Sequence, residues 1–223
     1  MKKIAAVYTG AALLAPLSSL LKEVLPDYGI INLLDDALIW EVVAEGTVPL
    51  KVRRRLLAYY QTLSENGVEL ILNTCSSVGD VVYEARPFVR VPIVRIDDAM
   101  TKEAVSKFRR IGVIGTLPTT LDPTMGLVRR WGERLNRPVE LVKGLAEGAF
   151  DALSSGDTGK HDDLIMETAR RVSDKCEVIL LAQASMARME EPLSSALGKP
   201  VFSSPRRALE MVRDILAGKA QAE

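Results

Sequence analysis

The chain repeats itself once. Lys2-Lys3-Ile4-Ala5-Ala6-Val7-Tyr8-Thr9 returns as Arg109-Arg110-Ile111-Gly112-Val113-Ile114-Gly115-Thr116. Val68-Glu69-Leu70-Ile71-Leu72 returns as Cys176-Glu177-Val178-Ile179-Leu180, and Val91-Pro92-Ile93-Val94 as Lys199-Pro200-Val201-Phe202. The three matches keep their order and an offset of 107 to 108 residues. One such match means little; three in register mark a duplicated folding unit, and finding it first decides how the rest of the chain is read.

Each half alternates short runs rich in Val and Ile with longer amphipathic stretches. The runs predict strands near 4–8, 29–33, 69–73 and 92–95, then near 111–115, 138–142, 177–181 and 200–203. Continuous apolar runs of this length suit strands buried on both faces of a parallel sheet. Helices are expected over 50–66, 119–134, 161–175 and 205–217, the first with Leu56, Leu57, Tyr60 and Leu63 on one face and Gly67 just past its end. Strand–helix alternation implies right-handed βαβ units. The expected fold is therefore α/β with two pseudo-symmetric lobes, each a short, mostly parallel four-stranded sheet flanked by helices. Residues 1–107 make the first lobe and 108–223 the second, with terminal segments free to cross over. Ligands of such sheets bind at the carboxyl ends of the strands, so the site is expected in a cleft between the lobes.

Composition narrows the function. Lys+Arg and Asp+Glu both number 29 in 223 residues, so the charge excess of a nucleic-acid binder is absent. Two cysteines build no disulfide framework and fit a reducing, cytoplasmic setting. A single histidine, His161, excludes His-rich zinc sites, and no metal site is expected. No window approaches the roughly 18 apolar residues of a membrane span, and Tyr8-Thr9-Gly10 interrupts the run that a signal peptide needs. Neither GxxxxGK[ST] nor GxGxxG occurs, which leaves nucleotide and flavin cofactors without support.

The stretch that carries chemistry is Asn73-Thr74-Cys75-Ser76-Ser77-Val78-Gly79-Asp80, a polar turn between an apolar run and a helix. Free amides of Ser76, Ser77 and Val78 at that helix start would lower the Cys75 pKa or cradle a carboxylate. A free cysteine is more often a small buried hydrophobe, but the hydroxyls and amide around Cys75 weigh against that. Cys176 opens a strand and reads as core. Thr9 and Thr116 end equivalent strands, as ligand donors or as plain helix caps; Thr119 and Thr120 add hydroxyls beside Thr116. His161 reads as a solvated residue near a helix start, and Arg53-Arg54-Arg55 and Arg109-Arg110 as solvated faces. Asp35-Asp36 and Asp97-Asp98 are adjacent acids that point apart in extended chain, not an acid–base pair.

Asn73-Thr74-Cys75-Ser76, Leu181-Ala182-Gln183-Ala184-Ser185-Met186 and Ile111-Gly112-Val113-Ile114-Gly115-Thr116 followed by Thr119-Thr120 resemble the aspartate/glutamate/hydantoin racemase superfamily over essentially the whole chain. The resemblance implies a cofactor-independent isomerase that works at the carbon next to the carboxylate of a small acid, often as a homo-oligomer. In such racemases one cysteine from each lobe faces the substrate, one removing the α-proton and the other returning it from the opposite face. Maleate isomerase and arylmalonate decarboxylase share the superfamily, so membership leaves the reaction open.

Cys75 matches the first of those cysteines, but the position one repeat further on is Gln183. Glutamine is neither a base nor a useful proton donor. A single thiol would exchange or deliver a proton on one face, or act as nucleophile. Gln183 and the amides of Ala184, Ser185 and Met186 would orient a carbonyl or an enolate oxygen. Thr9, Asn73, Thr74, Ser76, Ser77, Thr116, Thr119 and Thr120 complete the expected substrate contacts. Two alternatives stay open: a one-thiol lyase, decarboxylase or hydrolase on the same fold, and a non-catalytic protein that binds small carboxylates.

Overall fold

The computed structural model describes residues 2–220. In chain order its elements are β1 (Lys3–Tyr8), α1 (Leu14–Val24), β2 (Gly29–Leu34), α2 (Ala37–Glu45), α3 (Leu50–Glu65), β3 (Ile71–Asn73), α4 (Val81–Ala85), β4 (Ile93–Arg95) and α5 (Asp98–Lys107). The series then repeats as β5 (Arg110–Gly115), α6 (Pro118–Arg134), β6 (Glu140–Leu145), α7 (Ala149–Ser154), α8 (Thr158–Ser173), β7 (Val178–Leu181), α9 (Glu190–Leu197), β8 (Val201–Phe202) and α10 (Pro205–Leu216).

Two all-parallel four-stranded sheets result, ordered β2-β1-β3-β4 and β6-β5-β7-β8. The repeat extends to register: Ala5 lies opposite Ile71 and Ile71 opposite Ile93, as Gly112 lies opposite Ile179 and Ile179 opposite Val201. Contacts divide the chain into two compact units. One holds the residues up to Ile96 and those from Pro205 onward; the other is Asp97–Ser204. Each unit thus differs from its half of the sequence by one helix. α5 packs on α6 and β7, and α10 on α1 and β4.

In the first unit, Ala5, Val7 and Ile71 meet Val52, Leu56 and Tyr60 of α3 and Leu38 and Val42 of α2. In the second, both faces of the sheet are covered. Ile111, Val113, Val178 and Leu180 pack on α5 and α6, while Ile114, Ile179 and Leu181 pack on Ile165, Ala169 and Val172 of α8. Burial of each such side chain contributes about 1.5–3 kcal/mol, which is why the strands read as unbroken apolar runs. α3 ends as its sequence implies, with Gly67 at φ +73 and its N–H on the Ser64 carbonyl.

Two of the shifts from the expected bounds have a visible cause. β6 begins at Glu140 rather than 138, because Asn136 turns the chain in a left-handed conformation and Glu140 is the residue whose N–H reaches Arg109. α8 begins at Thr158 rather than 161, because the Asp157 carboxylate caps it by accepting from the Lys160 N–H at 3.0 Å.

Gly112 and Cys176 illustrate how tightly the second sheet is closed. A Cβ on Gly112 would lie 2.8 Å from the Cys176 sulfur, and Cys176 is buried among α8 and β7. Gly112→Ala is expected to cost about 1–3 kcal/mol by overpacking. Combined with Cys176→Ala it should cost clearly less than the two single changes added together; urea unfolding of the four proteins measures this.

Candidate active site

The first unit's turn is fastened before it is functional. At the end of β3, the Thr74 N–H and hydroxyl both donate to the Val7 carbonyl, at 3.1 and 2.9 Å, and the Asn73 carbonyl accepts from Ile96. Asn73 is wholly buried; its Oδ1 accepts from the Tyr60 hydroxyl at 3.2 Å and its Nδ2 donates to the Cys75 carbonyl at 3.0 Å. Asn73 and Thr74 therefore hold the turn with their side chains, where ligand contacts were expected of them. Cys75 follows in extended conformation, half-buried, and the chain then winds into a 3-10 turn at Ser76–Val78.

The thiol meets two opposing effects. Burial, the larger, pushes the Cys75 pKa up. Hydrogen bonds from the Thr9 hydroxyl, the Val78 and Ser77 N–H groups and the Ser77 hydroxyl pull it down and are outweighed. Of the three amides expected to lower the pKa, those of Ser77 and Val78 do point at the sulfur, yet the thiol lies above its ordinary range. A thiol at the start of a long helix would behave otherwise; here α4 has only five residues and the sulfur packs against the first unit's core. The Ser76 hydroxyl is buried with no hydrogen-bond partner among the described residues.

The second unit copies the backbone and changes the chemistry. Gln183 has φ −113° and ψ 133°, against −123° and 115° for Cys75, and also leads into a 3-10 turn, Ala184–Met189. Ala182 donates to the Ile114 carbonyl as Thr74 does to Val7. The Gln183 carboxamide is clasped to Thr116: Oε1 accepts from the Thr116 N–H and Nε2 donates to the Thr116 hydroxyl, both at 2.6 Å. Thr9 and Thr116 thus serve equivalent neighbours, a thiol in one unit and a carboxamide in the other. The Met186 N–H bonds the Gln183 carbonyl, so it is not a free amide, and the Ala184 and Met186 side chains are buried. Ser185 is half-buried, and its carbonyl faces Arg188. The Thr119 hydroxyl is buried without a partner among the described residues, and Thr120 is buried in the first turn of α6.

His161 corrects the sequence reading: it is wholly buried, not solvated. The early start of α8 places it on the inner stripe with Ile165, Ala169 and Val172, a spacing that the sequence already carried. Its Nδ1 lies 2.7 Å from Asp162 Oδ1, which also accepts from Arg188 Nη2 at 2.6 Å. Burial would raise the Asp162 pKa, but the hydrogen bonds from His161 and Arg188 win and hold it below the usual carboxylate range. Asp98 accepts from the Trp131 indole at 2.9 Å. Arg53 and Arg55 make surface ion pairs with Glu84 and Glu41. Among the described residues no cluster of metal-ligating side chains occurs, and no helix is long and apolar enough to cross a membrane.

Sequence reasoning passed over Tyr60 and Arg95. Arg95 is 1% exposed at the end of β4, directly opposite Asn73, and only the strand register reveals that an arginine closing an apolar run stands behind the Cys75 turn.

Residues 9–212 match the model of the Asp/Glu/Hydantoin racemase family. No functionally curated protein sequence matches the chain. Among solved structures the chain is similar to allantoin racemase from Klebsiella pneumoniae, with a TM-score of 0.75 and 19% identity over 100% of this chain and 91% of that one. Glutamate racemase RacE1 from Bacillus anthracis gives a TM-score of 0.76 at 14% identity over 99% and 84% of the two chains. Unliganded arylmalonate decarboxylase gives 0.58 at 15% identity over 100% and 96%. At these identities the likeness is one of fold.

The balance at Cys75 sets its pH dependence. The midpoint of its alkylation by iodoacetamide, mapped separately from Cys176, should lie above the ordinary free-thiol value of about 8.5. Thr9→Val should move it further up. Because the folded state holds the proton more tightly than the unfolded chain, this group's stabilising contribution is complete below about pH 8.5 and is lost as pH rises through the folded value.

Proposed function

The chain belongs to the Asp/Glu/Hydantoin racemase family, and from that premise we propose a cofactor-independent enzyme in which Cys75 alone handles the proton at the carbon next to the carboxylate of a small acid. The observation that carries this reading is the unequal pair of turns. One presents a thiol to the Thr9 hydroxyl, the Ser77 hydroxyl and two backbone N–H groups; its counterpart presents a carboxamide already clasped to Thr116. Gln183 can neither take nor give the α-proton. Its carboxamide holds Thr116 in place instead.

In this mechanism the Cys75 thiolate removes the α-proton, the electron pair moves into the substrate carbonyl as an enolate, and the resulting thiol returns a proton to the same face. The product keeps its configuration while its α-hydrogen exchanges with solvent. The unpaired Ser76 hydroxyl and the Ser77 hydroxyl are the donors proposed for the substrate carboxylate, and Asn73 and Thr74 support the turn that presents them.

A second reading draws on the direction of the thiol pKa. A thiol kept protonated by burial is ready to donate, which suits protonation of the enolate left when a malonate-type substrate loses carbon dioxide. The carbon–carboxylate bond then supplies the electron pair and Cys75 the proton.

Incubation in D2O with single enantiomers of small acids, malonates and maleate separates these reactions by NMR and chiral chromatography. α-Deuteration without inversion, abolished in Cys75→Ala, is the expected outcome. Decarboxylation of malonates alone selects the second reading. Inversion by the wild type defeats the one-thiol mechanism, and silence with saturable binding identifies a carboxylate-binding protein. Gln183→Cys, which restores a thiol at the duplicated position, should add measurable inversion to any exchange seen.

A further inference from the structure

The unit that carries the thiol also carries a set of residues, buried but for Asp80, that its duplicate does not repeat. Tyr60, Asn73, Gly79, Asp80 and Arg95 have Thr168, Leu181, Ala187, Arg188 and Ser203 at the repeated positions. The backbone of the two turns is conserved through the duplication while this set is not, so the set follows the cysteine and not the fold.

Arg95 is its centre. The side chain is 1% exposed, and Nη1 donates to Asp80 Oδ1 at 2.8 Å. A Cβ on Gly79 would meet the guanidinium carbon and Nη2 at 2.5 Å, so the cation lies flat against the backbone of the turn, where only glycine leaves it room. The Tyr83 ring faces it at 5.5 Å. An arginine stays charged at any accessible pH, and a buried charge acts strongly on its neighbours because little water screens it. Burial above all, and then a negative Cys75, oppose ionisation of the Tyr60 hydroxyl, while Arg95 favours it.

We infer that Arg95 is the positioning residue of the Cys75 turn: its guanidinium, seated on Gly79 and paired with Asp80, fixes the segment whose Ser77 and Val78 N–H groups meet the sulfur and sets a cation behind that turn. The inference rests on the proposed thiol chemistry of Cys75. The ionisable or charged groups tied to this turn by the contacts described are Tyr60 from α3, through Asn73, and Tyr83 from α4, Asp80 and Arg95 from β4, through one another. Of these only Arg95 is a cation. Its charge favours the thiolate, and that of Asp80 opposes it.

The test is the pH profile of Cys75 alkylation in the full chain, with Cys176 as internal reference. Arg95→Met should move the Cys75 midpoint up by about one pH unit or more and leave that of Cys176 in place. Arg95→Lys, which keeps the charge, should return most of the shift. If Arg95→Met does not fold by circular dichroism, Arg95→Gln carries the same expectation, since it keeps a donor for Asp80 without the charge. A folded variant with an unmoved Cys75 midpoint overturns the inference, whatever its thermal stability, because a purely structural arginine would change Tm alone. The profile requires no substrate. Failure of the exchange experiments with a shifted midpoint therefore counts against the proposed reaction, and success with an unshifted midpoint counts against Arg95.

Discussion

The parallel pairing of β1 with β3, and of β5 with β7, is what the chemistry stands on. It brings Val7 level with Asn73, so that one carbonyl receives both donors of Thr74 and the chain leaves the sheet in a fixed direction. The same pairing brings Ile114 level with Leu181 and fixes Ala182. Strands buried on both faces cannot slip by one residue without carrying apolar side chains off their packing surfaces. Cys75 and Gln183 therefore emerge in the same backbone conformation although their side chains share no chemistry.

At Cys75 the decisive quantity is the difference between two large effects. Four hydrogen bonds favour the thiolate, and burial against the first unit's core outweighs them. A site tuned in this way holds its proton at rest and lets it go only when charge nearby helps. That condition suits a residue that must both take and return a proton, because neither form is strongly trapped.

The sequence displays the strands, the duplication, Cys75 and the Thr9–Thr116 equivalence because each is a local pattern: a run of Val and Ile, a repeated string, a polar turn around one sulfur. It hides what depends on register and depth. Arg95 reads as a charge ending a strand until its pairing with Asn73 is known. His161 sits among polar residues in sequence, yet the helix that Asp157 caps turns it inward. Gln183 gives no sign in sequence that Thr116 will occupy both ends of its carboxamide. The sign of the Cys75 shift depends on how deeply a short turn is packed, which composition does not report.

The exchange of helices between the sequence halves has a bearing on synthesis. The unit with the thiol draws on residues up to Ile96 and again from Pro205 onward, whereas the other unit is the continuous segment Asp97–Ser204. A ribosome makes β1 first, but α10, which covers α1 and β4, follows only after the whole of the intervening unit. Closing so long a loop carries an entropic cost that grows only slowly with its length. The continuous unit can gather its core while still tethered, and the thiol-bearing unit completes its packing last. Until then α1 and β4 stay without the helix that covers them, and β4 is the strand whose last residue, Arg95, backs the Cys75 turn.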